Sequence, residues 1–211
     1  MLIDFKLHAQ LPVYLFAHSM GTIIMRVLLQ QDSGRYEKAV LSGYPNYQSG
    51  APVGILLSGI IRAFRGGKYK SRLLQSLSVG VFNRRIPHPK TPCDWLCYNE
   101  ATVRAYLADP YCGFGFTCSA FGDLFHLVVM MHRPQRYEHV NQELALLFLR
   151  GKDDPCVGGE QGSEASRRVL AKAGFRCIRH VDYPHMRHEI LAETGRGEVY
   201  GDILEFYQGA E

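Results

Sequence analysis

Ala17-His18-Ser19-Met20-Gly21 follows a short apolar, aromatic-rich run, Leu11 to Phe16, and precedes Thr22 to Gln31, whose apolar residues recur at helical spacing. The first run reads as a buried strand and the second as a helix, so Ser19 falls on the turn between them. A turn of this kind can serve as a nucleophile elbow, which lifts a serine oxygen clear of the backbone at the top of a sheet. Strand and helix can approach closely only if the residues flanking the serine at two positions' distance are small. Ala17 and Gly21 meet that need, Ala17 standing where the usual G-x-S-x-G has glycine.

Working outward, the helix is expected to stop near Asp32-Ser33-Gly34, and Lys38 to Gly43 reads as a second strand. Leu144 to Leu149 is a continuous apolar run suited to a central parallel strand, and it leads into Arg150-Gly151-Lys152-Asp153-Asp154-Pro155. A helix from Glu160 to Ala173 closes at Gly174, and Arg176 to Tyr183 forms a further strand. That strand is followed by Pro184-His185-Met186-Arg187-His188-Glu189 and a last helix from Gly197 to Tyr207. Met1 to Gln10 reads as the end of a helix entering the first strand. The alternation implies an α/β sandwich with a mainly parallel sheet.

Between Tyr44 and Val140 the alternation is lost. A crossover between parallel strands needs only about a dozen residues, so most of this proline-rich segment reads as an insertion. Helices are expected at Ile55 to Phe64, Leu73 to Phe82 and Leu124 to Met131, forming a cap over an apolar pocket. The organisation expected is core over residues 1–43, cap over 44–140 and core over 141–211.

With 211 residues, 46% of them hydrophobic, the chain can bury one sizeable core. The net charge of +4 comes with no long basic run and no nucleic-acid module, so nucleic acid is not expected as a partner. Cys93, Cys97, Cys112, Cys118, Cys156 and Cys177 lack the C-x-x-C spacing of zinc ribbons. They read as buried or half-buried thiols, with no metal and no cofactor expected. No run is long and apolar enough for a membrane span, and the N-terminus has no signal-peptide pattern; a cytoplasmic location is the expectation.

An acidic residue and a histidine thus fall just past the carboxyl ends of two strands, the edge where open α/β sheets bind ligands. Ser, Asp and His in that chain order is the α/β-hydrolase order. A serine hydroxyl needs a histidine to take its proton as it attacks, and a buried carboxylate to hold that histidine in one tautomer. Either Asp153 or Asp154 could supply the acid, and His188, His185, His180 or His18 the base.

The elbow, the Arg150–Pro155 turn, the Tyr183 to Leu191 segment and the Phe114-Gly115-Phe116-Thr117 stretch resemble the monoacylglycerol lipase and lysophospholipase branch of the α/β-hydrolases, also described as serine aminopeptidase S33-like. The resemblance implies Ser19 as nucleophile, Asp154 and not Asp153 as acid, and His188 as base; from the residues alone, Asp153 and His185 are the runners-up. It also implies a lipid ester substrate, a lysophospholipid or monoacylglycerol, and transient contact of the cap with a membrane surface. Family members carry an His-Gly loop upstream of the elbow that supplies one of two oxyanion donors. Only the backbone N–H of Met20 is found here, and the chain reads as the C-terminal portion of a larger hydrolase. An open sheet edge beside the elbow strand, open to self-association, is the expected consequence. Two readings follow: an active ester hydrolase, with an S33-type peptidase as a weaker variant, or a catalytically impaired fragment.

Overall fold

A computed structural model describes residues 11–209, so the expectation for Met1 to Gln10 lies outside the described residues. Four parallel strands stand side by side in chain order: β1 (Tyr14–His18), β2 (Lys38–Ser42), β3 (Ala145–Gly151) and β4 (Ile178–Tyr183). The elbow helix α1 (Met20–Gln31) follows β1 directly. Between β2 and β3 come α2 (Ala51–Arg65), α3 (Arg72–Ser78), α4 (Gly80–Asn83), α5 (Glu100–Ala108) and α6 (Cys118–Met131). Helix α7 (Gly159–Ala173) joins β3 to β4, and α8 (Arg196–Gln208) ends the described chain.

Side chains alternate across the two faces of a strand, and here both faces of the inner strands are covered. Ala39 and Leu41 of β2, with Leu146 and Phe148 of β3, pack on one side against Met25 and Leu29 of α1 and Leu170 of α7. Val40, Leu147 and Leu149 pack on the other side against Val199 and Phe206 of α8. Such strands need apolar residues at every position, which is why Leu144 to Leu149 shows no alternation. Lys38 closes the end of α8, its ammonium donating to the carbonyls of Phe206 (2.8 Å) and Tyr207 (3.0 Å).

β1 differs. Among the described residues it pairs only with β2, and Tyr14 and Phe16 remain 41% and 45% exposed. Beside it a hollow of about 340 Å³ is lined by Phe16, Gly21, Ile24 and Leu28 among others. An apolar flank therefore runs along the edge strand that carries the elbow.

Several boundaries depart from the sequence reading for local reasons. β1 begins at Tyr14 rather than Leu11, after Pro12, which has no N–H to give a ladder. α6 begins six residues earlier than Leu124 because the Thr117 hydroxyl accepts from the Ala120 N–H and caps it. The single helix expected over Leu73 to Phe82 is two, α3 and α4, separated at Val79. α5, capped by the Asn99 side chain, was not expected at all; its apolar stripe is weak. Among the described residues no helix is long and apolar enough to cross a membrane.

Candidate active site

The elbow is built by continuing the β1–β2 ladder one step past the strand. The Ser19 N–H donates to the Ser42 carbonyl (2.9 Å), and the chain then turns straight into α1. Ser19 sits at φ 52, a conformation that costs a non-glycine residue on the order of 1–3 kcal/mol and is held by the ladder on one side and the helix on the other. The Thr22 hydroxyl and N–H both return to the Ser19 carbonyl, at 2.8 and 2.9 Å. A methyl added at Gly21 would lie 3.6 Å from the Ala17 Cβ, an ordinary contact, so the alanine in place of the usual glycine leaves the crossing undisturbed.

Asp154 and His188 come from the loops after β3 and β4, neighbouring strands braced by an ion pair of the buried Arg150 with the half-buried Asp182. Arg150 donates to both carboxylate oxygens of Asp182, its register partner, at 2.7 and 2.5 Å. The hydrogen bond with Arg150 holds the Asp182 carboxyl below its ordinary range against the opposing effect of burial. At the end of β3 the chain passes so close to the loop after β4 that only glycine fits at residue 151. A Cβ there would stand 2.1 Å from the Met186 carbonyl oxygen and 2.3 Å from that of Arg187. The Asp153 N–H donates to the same Met186 carbonyl (3.1 Å) and locks the crossing.

His188 thereby reaches both partners. Its Nε2 lies 2.7 Å from Ser19 Oγ, and its Nδ1 lies 2.9 Å from Asp154 Oδ2. The other Asp154 oxygen accepts from the Cys156 N–H (2.8 Å), which fixes the carboxylate plane. Both side chains are buried, while Ser19 is half-buried. Burial alone would lower the His188 pKa, but the Asp154 carboxylate and its hydrogen bond, with Glu189 beyond, outweigh it and raise the value above 6.5. Met20 opens α1, so its N–H has no acceptor within the helix and is free to meet a developing oxyanion near Ser19.

Residues 3–195 match the family described as Serine aminopeptidase, S33. The chain belongs to that family. Its fold is that of the α/β-hydrolases, shared with solved carboxyl esterases and lipases. The structure is similar to that of a highly thermostable carboxyl esterase from Bacillus coagulans, with a TM-score of 0.84 at 24% identity over 97% of this chain and 67% of that one. It is also similar to the monoacylglycerol lipase of Paleococcus ferrophilus (TM-score 0.66, 16% identity, 95% and 69% covered). A soluble variant of monoglyceride lipase from Saccharomyces cerevisiae gives a TM-score of 0.67 at 14% identity over 98% of this chain and 64% of that one. At these identities the likeness is one of fold. No curated protein sequence is significantly similar to the chain.

The other candidate acids and histidines are not part of this relay. Asp153 is exposed and accepts from the Tyr98 hydroxyl at 3.0 Å. His185 occupies an exposed turn at φ 54, and His180 is exposed on β4. His18 leaves the elbow away from Ser19: its Nδ1 is 3.1 Å from Ser42 Oγ, and its Nε2 is 3.2 Å from Glu189 Oε1 at a poor hydrogen-bond angle. Burial would raise the Glu189 pKa, yet the contact with His18 leaves it lowered. The sets His18, His188, Glu189 and Asp154, Cys156, His188 each bring donor atoms within 4.8 Å of one another. Both His188 nitrogens are already engaged by Ser19 and Asp154, so neither set is assigned to a metal. Five cysteines are buried or half-buried, but Cys177 is exposed, in contrast to the expectation, because it leads into the uncovered edge strand β4.

Three residues that shape the site were given no role in it by the sequence reading. Gly43, at φ 54, lies beneath both imidazoles; a Cβ there would be 2.9 Å from His18 Cε1 and 3.2 Å from His188 Cε1. A glycine directly after a strand run was its signal, as it was for Gly151. The third is Trp95, whose ring centroid lies 4.8 Å from that of His188; its signal was being the chain's one tryptophan.

Proposed function

We propose that this chain is a serine hydrolase of lipid carboxylic esters, lysophospholipids or monoacylglycerols, working through an acyl-Ser19 intermediate. The observation that carries this reading is the continuous relay from Ser19 Oγ through His188 to Asp154 at 2.7 and 2.9 Å. Ser19 Oγ attacks the ester carbonyl carbon as its proton passes to His188 Nε2, and the carbonyl electron pair moves onto oxygen near the Met20 N–H. Collapse of the tetrahedral species expels the alcohol, which takes the proton back from Nε2. Water then repeats the sequence, releasing the fatty acid and restoring Ser19. Asp154 holds Nδ1–H and stabilises the imidazolium formed in both halves.

The lipid assignment is supported by the surface of the β2–β3 connection, which acts as a cap. α2 packs Leu57 and Ile61 inward against Phe121 and Phe125, yet Val53, Leu56, Ile60 and Phe64 form an outward stripe, Phe64 being 84% exposed. Residues 38–93 contain no Asp or Glu; Arg62 lies within the span of the stripe, and Arg65, Lys68, Lys70 and Arg72 follow it. Apolar side chains beside unopposed cations suit transient contact with a lipid surface. The reading is tested with p-nitrophenyl butyrate and a monoacylglycerol: turnover is expected, and Ser19→Ala abolishes it. Absence of turnover with both substrates by folded protein contradicts it.

A further inference from the structure

We propose that Trp95, carried on a short turn of the β2–β3 connection, is a positioning residue that holds the His188 imidazole in line between Ser19 and Asp154. The inference rests on the hydrolase reading above and adds a residue to it.

The contact is built in register. The turn Asp94–Leu96 meets the loop Arg187–Glu189 residue for residue. On one flank the Arg187 guanidinium donates to the Asp94 carbonyl (2.7 Å) and lies 3.9 Å over the Tyr98 ring. On the other, the Glu189 N–H donates to the Leu96 carbonyl (2.7 Å). Between these two attachments the Trp95 and His188 rings meet, tilted by 41°. A second lashing comes from the buried Glu193 carboxylate, which accepts from the N–H groups of both Tyr98 (2.9 Å) and Arg187 (3.0 Å).

Trp95 is itself fixed. It is 8% exposed, its backbone N–H donates to Asn83 Oδ1 (3.1 Å), and the Phe82 ring packs on its side chain with ring centroids 5.1 Å apart. Cys156, two residues after the candidate acid, shares the same apolar cluster. One turn therefore touches the loops of both acid and base. An imidazole bound only at its two nitrogens can still swing about the line joining them, and the indole ring closes the side on which Trp95 lies. Displacements of about 1 Å at such a group cost on the order of 100-fold in rate.

The charged and titratable groups facing His188 are Ser19 and His18 from the elbow, Asp154 and Cys156 from the acid loop, and Glu189 from its own loop. Trp95 is the one neighbour that is both uncharged and fluorescent, and a protonated imidazole beside an indole quenches its emission. Because it is the chain's one tryptophan, emission from the whole protein reports on this contact.

The test combines kinetics with that signal. Trp95→Leu is expected to lower kcat about 10- to 100-fold with KM within about twofold, and Trp95→Phe to recover most of the loss. Emission of the otherwise unaltered protein is expected to rise with pH through one titration, which His188→Gln removes. Matched circular dichroism spectra establish that each variant is folded. If no ester is turned over, the hydrolase reading fails, and the positioning role is then decided by mapping diethyl pyrocarbonate modification of His188, expected to be several-fold faster in Trp95→Leu. Wild-type kcat in Trp95→Leu, emission unchanged by His188→Gln, or, without turnover, unchanged His188 modification overturns the proposal.

Discussion

Replacing Gly151 with alanine adds a single methyl at the crossing of the two loops that carry the candidate acid and base. Ordinary contact begins at 3.4 Å, whereas the new Cβ would meet the Met186 and Arg187 carbonyl oxygens at 2.1 and 2.3 Å. The obstacles are backbone atoms, so no side-chain rotation relieves them and the 186–188 segment must retreat by roughly 1 Å. That segment is anchored on its far side by the Arg187 and Glu189 hydrogen bonds to Asp94 and Leu96. The shift therefore falls on His188 itself. Two magnitudes follow: a stability loss of about 1–3 kcal/mol for overpacking, and a fall in kcat of about 100-fold for a base displaced by about 1 Å. Urea unfolding measures the first, and initial rates with p-nitrophenyl butyrate at a denaturant-free, fully folded point measure the second. An alanine variant with wild-type kcat and an unchanged urea midpoint would refute the claim that this crossing sets the position of the base.

Asp154→Asn is expected to lower kcat by about 10⁴-fold, because an amide at this place favours the wrong imidazole tautomer, while Asp153→Asn and His185→Ala stay within about threefold; reversal within either pair, measured on the same ester, moves the role to the neighbour. The pH dependence has opposite signs for rate and stability. Since the folded His188 pKa is raised above 6.5, the rate should climb with pH through a midpoint above that value, as the base must be neutral. The same shift stabilises the fold fully below pH 6.5 and is lost as pH rises through the raised pKa, a trend that pH-stepped urea unfolding of wild type against His188→Gln isolates. The uncovered flank of β1, with Tyr14, Phe16, Ile24 and Leu28 exposed, is expected to drive self-association of this chain; Phe16→Lys should shift sedimentation toward monomer, and a monomeric wild-type chain at tens of micromolar would contradict it.

How far the sequence could be read depended on the range over which each feature is determined. β2 and β3 were legible because strands buried on both faces require unbroken apolar runs, and α1 and α7 because their stop signals lie in adjacent residues. Chemistry gave the Ser-Asp-His order at strand ends but left the acid and base open between neighbours; the family resemblance chose Asp154 and His188, and the structure brings both within hydrogen-bond distance of the Ser19 relay. The β2–β3 connection was harder. α5 has only a faint apolar stripe, and the break at Val79 has no proline to announce it. The contacts that place His188 were beyond reach for another reason. Trp95 meets a residue more than 90 positions away, and the tightness at Gly43 and Gly151 exists only once four strands are side by side. Local pattern narrows the reacting groups to a few neighbours, while their alignment is a long-range property of the packing.

The central claim is that Ser19 is made nucleophilic by the His188–Asp154 pair. Its most direct measurement is peptide mapping by mass spectrometry after a brief exposure to a fluorophosphonate. The account predicts one adduct, on Ser19, forming fast in wild type, at least about 100-fold more slowly in His188→Gln, and not at all in Ser19→Ala. Labelling of another serine in folded protein, or a rate on Ser19 unchanged by loss of His188, would contradict it.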